Sequence, residues 1–125
     1  MFGDDIVSYI KQSITDPVNT TYDYQPDMPD LQISVFVYAT PLHRDGALTR
    51  HMQVQVRAPH PLQAAELAWC LSYLLDSGDD EDVINLTPNR HCICRPTARP
   101  KLMHRDAKNR TIYYFELALT GEDIP

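Results

Sequence analysis

The sequence predicts an α+β fold, an αββαββ sandwich in which a mostly antiparallel four-stranded sheet carries two helices on one face. Three observations lead there. Two segments repeat apolar residues at helical spacing, three segments alternate apolar and polar residues with the period of two that a strand requires, and turn-forming residues separate the segments. With 125 residues, 43% of them hydrophobic and 22% charged, the chain has the make-up of one globular domain spanning 1–125, with enough apolar material to bury a core.

The first helix is written by Phe2, Ile6, Ile10 and Ile14, which recur every four residues with Tyr9 beside them. Asp4 and Asp5 lie in its first turn, where acids suit the positive end of the helix dipole. Asp16-Pro17 ends it, because the residue before a proline avoids the helical region. Residues 18–30 then hold Pro26, Pro29 and scattered acids, which predicts an irregular arm. Leu31, Ile33, Val35 and Val37 alternate with Gln32, Ser34, Phe36 and Tyr38 as a first strand. Met52, Val54 and Val56 alternate with Gln53, Gln55 and Arg57 as a second. The hairpin between them has an extended tip, Thr40 to Ala47, that contains the turn pair Asp45-Gly46.

Pro61 suits the first position of a helix running from about Leu62 to Asp76, with Gly78 just past its end. Ala64, Leu67, Ala68, Leu71, Leu74 and Leu75 form one apolar stripe on this helix. Leu62, Trp69 and Tyr73 form a second on roughly the opposite side. A helix apolar on two sides is sandwiched, with the second layer supplied by the irregular arm or by another subunit. Trp69 and Tyr73 are expected at or near a contact between subunits. A short strand is expected over His91 to Arg95, a second long connection from Pro96 to Arg110, and a last strand from Ile112 to Leu119.

The residues argue for few kinds of chemistry. The formal charge of −6 counts against a dedicated nucleic-acid binder. No run reaches the roughly 18 apolar residues of a membrane span, and aspartates stand where an export signal needs basic residues. Cys70, Cys92 and Cys94 read as free thiols in a reducing compartment. Cys92 and Cys94 are one residue apart with no second pair, so they are expected as buried core residues and not as zinc ligands. The five histidines, His43, His51, His60, His91 and His104, fall into no pair at helix spacing and no triad order. The glycine-rich and metalloprotease motifs are absent. No catalytic residue, cofactor or metal is expected.

Charge is segregated along the chain. Asp79, Asp80, Glu81 and Asp82 form an acidic loop, whereas Arg95, Arg99, Lys101, Arg105, Lys108 and Arg110 put six of the eleven basic residues into sixteen positions. Contiguous acids lack the alternation of an EF-hand. Opposed loops of this kind are either two solvated loops that pair with each other or the parts of a head-to-tail assembly. In the second, sharper reading the acidic loop of one subunit faces the basic segment of the next, Arg105, Lys108 and Arg110 included.

Taken in order, the strand Leu31–Ala39 with its long hairpin, Met52-Gln53-Val54-Gln55-Val56-Arg57, Gln63-Ala64-Ala65-Glu66-Leu67-Ala68 leading to Leu74-Leu75, and Pro100, Arg105-Asp106, Arg110 and Tyr113-Tyr114-Phe115-Glu116-Leu117 resemble the tail-terminator and minor capsid proteins of long-tailed bacteriophages. The resemblance covers residues 31–119. It implies a structural protein of the virion, made in the host cytoplasm and placed at the head–tail interface. It further implies a homo-oligomeric, hexameric ring that caps the tail tube, touches the tube protein on one side and a head-completion or connector protein on the other, and encloses the DNA channel without specific DNA contact or any membrane role. Two other readings share the pattern: a head-completion adaptor on the portal side, and a small ferredoxin-like binding or enzymatic domain.

Overall fold

A computed structural model describes residues 2–15, 17–39, 48–78, 84–87 and 90–121. The elements in order are α1 (Phe2–Ser13), β1 (Asn19–Tyr22), β2 (Gln32–Ala39), β3 (Leu48–Ala58), α2 (Pro61–Leu74), β4 (Ile84–Thr87), β5 (Arg90–Arg105) and β6 (Thr111–Gly121). The α+β class stands. The sheet is larger than the four mostly antiparallel strands expected: among the described residues it has six, in the order β1-β2-β3-β6-β5-β4. The β1–β2 pair is parallel and the other pairs are antiparallel.

Strand alternation settles which side is the core. Register places Ile33 opposite Val56, Val35 opposite Val54, and Val54 opposite Phe115, so one face of the sheet is a continuous apolar surface. Ile6 and Ile10 of α1 and Ala68, Leu71 and Leu75 of α2 pack on it in a single cluster, which puts both helices on one face as the sequence predicts. α1 touches β1 and β2 and also β4. Those strands lie at opposite ends of the sheet, so the sheet curls until both edges meet the same helix.

Two expected connections turn out to be strands. The arm over 18–30 contains β1, whose four residues pair with Gln32 to Val35. From Tyr22 the chain crosses the outer face of the sheet and returns as β2, with Asp23 at positive φ where its N–H reaches Val35 O at 2.7 Å. The second correction concerns Pro96 to Arg110. Most of this stretch is the second half of β5, paired to β6 as far as Arg105 with Thr111. The register shifts around Pro96, Ala98, Lys101 and Leu102, as expected where Pro96 and Pro100 have no N–H to donate. Beyond Cys92, β5 has only β6 as a strand neighbour among the described residues, and an edge strand is where prolines are tolerated.

The turn from β5 to β6 is built by Asp106. Its Oδ1 accepts the N–H groups of Lys108 at 3.0 Å and Arg110 at 2.9 Å, while Asn109 takes the left-handed conformation. At the end of α2, the Leu75 N–H returns to Leu71 O at 3.0 Å, and Gly78 sits at φ +75°, where a side chain is disfavoured.

Cys92 and Cys94 are buried on the apolar face with their sulfurs 3.6 Å apart, as their i, i+2 spacing predicts. The hydrogen bond shared with Cys92, together with burial, pushes the Cys94 thiol far above its ordinary range. Cys70 is exposed. A disulfide-exchange reagent is therefore expected to label Cys70 quickly in the folded protein, and Cys92 and Cys94 only after denaturant is added. Fast labelling of all three thiols in the folded chain would contradict this packing.

Candidate functional site

Among the described residues, two surface regions stand out after the core is assembled, the outer face of α2 and the far end of the sheet. On α2, Leu62, Trp69 and Tyr73 fall along one line because they are spaced by seven and four residues. They are 69%, 38% and 66% exposed, which is unusual for side chains of this size. The Trp69 and Tyr73 rings lie 5.9 Å apart at a tilt of 37°, so they form one aromatic plate rather than two separate side chains. Glu66 is the sole charged residue in the fourteen of α2. Beside this line a groove of about 430 Å³ opens between α2 and the end of α1, with Ile14, Val18, Leu31, Leu67, Cys70 and Leu74 along it.

At the other place, the arm is fastened to the outer face of the sheet by two arginines. Arg57 is 2% exposed. Its guanidinium donates to the carbonyl oxygens of Asp27 (3.3 Å), Pro29 (2.6 Å) and Asp30 (3.3 Å). Arg110 is 5% exposed and donates to Asp106 Oδ2 (2.8 Å), Asp27 Oδ1 (3.2 Å) and Asp30 Oδ1 (3.3 Å). Lys108 adds an ion pair to Asp27. Further along, Gln25 donates to Gln55, Gln55 to Gln53, and Gln53 to Glu116. Lys101 lies 5.4 Å over the Tyr114 ring.

This arrangement divides the residues singled out in the sequence. Trp69 and Tyr73 are presented outward together. Arg110 and Lys108 are instead occupied within the chain, holding the arm. Arg105 is exposed at the end of β5. Asp79, Asp80, Glu81 and Asp82 lie outside the described residues, as do the hairpin tip 40–47 and His43. Sequence reasoning missed the role of Arg57. Its place in an alternating strand marks it as outward-facing, but its partners lie 27 to 30 residues away, and no local signal announces them. Among the described residues no cluster of three or more His, Cys, Asp or Glu is placed to hold a metal. No helix there is long and apolar enough to cross a membrane.

The ion pairs carry a pH dependence. The hydrogen bond from Lys108 holds the Asp27 carboxyl below its ordinary range, and the Arg110 backbone N–H does the same for Asp106. A depressed carboxylate contributes stability that is full above its unfolded pKa, here about 3.8, and is lost as pH falls through the lower folded value. Thermal midpoints are expected to stay level from neutral pH down to about that value and to fall below it. Replacing Asp27 and Asp106 with asparagine should flatten the decline.

Comparison with known proteins decides the family. The model of a family described as bacteriophage tail terminator protein matches residues 5–123. The chain belongs to that family. No curated protein matches it. One solved structure superposes with a TM-score of 0.63. It covers 99% of this chain and 92% of its own at 14% identity, a likeness that extends to the fold alone. Tail terminators are structural parts of the phage tail, which accounts for a surface rich in contact-forming groups and assigns the chain to the virion tail.

Proposed function

We propose that the chain is the protein that ends the phage tail. It forms a homo-oligomeric, hexameric ring on the last layer of the tail tube, stops tube growth, and offers its other face to a head-completion or connector protein, with DNA passing through the centre. Family membership across residues 5–123 carries this reading. The aromatic plate on α2 supports it, because large apolar side chains exposed together mark association surfaces. The formal charge of −6 suits a passage for DNA, since a basic lumen would hold phosphates by counterion release.

Electron micrographs of particles made without the chain test it. Tails of irregular, excessive length beside heads that carry no tail are the expected result. Tails of normal length together with heads that leak their DNA would instead assign the chain to head completion.

A further inference from the structure

We infer that the outer face of α2 docks on β5 from Arg95 to Arg105 in a second copy of the chain; this rests on the ring reading above. The two surfaces match in chemistry. The α2 face offers Leu62, Trp69 and Tyr73 around one carboxylate, Glu66. The part of β5 from Arg95 to Arg105 has no acid and carries the exposed basic residues Arg95, Arg99, Lys101 and Arg105. Of these, Arg99 also pairs with Asp76 at 3.6 Å and Lys101 lies over Tyr114. Next to Lys101 in the strand stands Leu102, 54% exposed. Arginine and lysine side chains complement an aromatic plate twice over. Their alkyl stems cover apolar surface and their charged heads are drawn to ring faces. The carboxylate of Glu66 then sets which cation sits where.

The match is between two different patches of one chain, so the contact is heterologous. Each subunit uses α2 toward one neighbour and β5 toward the other, and a ring closes with both patches covered on every copy. Strand-to-strand pairing along β5 is the poorer alternative for this edge, because Pro96 and Pro100 interrupt its donors and its charged side chains resist a further strand. Arg110 and Lys108 take no part, since they hold the arm of their own chain.

The exposed thiol of Cys70 stands on the flank of α2 beside Trp69, which gives a direct test. Tails are assembled with Leu102→Cys, oxidised, and run on a non-reducing gel. A ladder of cross-linked multimers is expected, absent from wild-type tails and lost when Cys70→Ser is combined with Leu102→Cys. Monomers alone, in tails where microscopy shows the chain as a ring, would overturn this docking and leave the ring reading intact. Tails carrying the chain as a single copy would remove the ring reading and the docking with it. In a second arm, Glu66→Arg should slow ring assembly by about tenfold or more, and adding Lys101→Glu with Arg105→Glu should recover much of the rate. No recovery in a variant that keeps the wild-type circular dichroism would also count against the pairing.

Discussion

Phe115→Ala is expected to cost about 3–5 kcal/mol and to leave little folded protein at 37 °C. Phe115 has no exposed surface and is the largest fully buried side chain among the described residues. It sits opposite Val54 on β6, with β3 on one side and β5 on the other. Truncation there opens a cavity in the middle of the sheet that neither helix can move in to fill. The neighbouring Tyr114→Ala makes the contrast. Tyr114 points to the outer face, under Lys101, and its loss should cost about 1 kcal/mol or less. Urea unfolding monitored by Trp69 fluorescence would measure both. Similar losses for the two variants would mean that β6 is out of register by one residue, which exchanges its faces.

Arg57→Ala is expected to have the second largest effect, about 2–4 kcal/mol. Its guanidinium is enclosed and donates to three backbone carbonyls of the arm. Without it those carbonyls are left poorly satisfied, and the buried row of Gln32, Arg57 and Ile112 beneath the arm is opened to water. Removing hydrogen bonds from a buried charged group costs more than breaking neutral ones. Limited proteolysis separates this loss from a general weakening. Cleavage between Asp23 and Leu31 should rise well before the sheet unfolds. A variant that loses stability with no change in cleavage there would show that Arg57 acts through the sheet alone. Arg57→Lys should rescue only part, because one ammonium cannot span three acceptors as a planar fork does.

The contrast between what the sequence shows and what it hides follows from the range of each interaction. The helices and the strands β2, β3 and β6 are legible because their apolar residues repeat locally, and the repeat is the cause of the burial. β1 is hidden because it has four residues, Asn19 to Tyr22, of which Thr20 alone is fully buried. Its stability comes from β2 and α1 and from no pattern of its own. The second half of β5 is hidden by two prolines and three basic residues, which read as a loop until the strand is known to lie at an edge. At the surface, Trp69 and Tyr73 are legible from spacing, since a helix apolar on two sides has only one core to face. The fastening of the arm by Arg57 and Arg110 is not legible, because it joins residues about 27 to 83 positions apart.

The place of β6 in the sheet bears on how the chain is made. β6 follows every other described element in the sequence, yet it sits between β3 and β5 and joins the two halves of the sheet. Once β5 has left the exit tunnel and before β6 has, the nascent chain can hold one paired unit from β1 to β3 and another from β4 to β5, with no strand between them. α1, which emerges first, must wait for β4 before it can seal both edges. Assembly of the core is thus delayed until β6 has cleared the exit tunnel, and the apolar surfaces of the two halves stay open to solvent during that interval. The chain therefore passes its most aggregation-prone moments as an unfinished sheet, and the rate at which β6 inserts sets how long each copy is at risk.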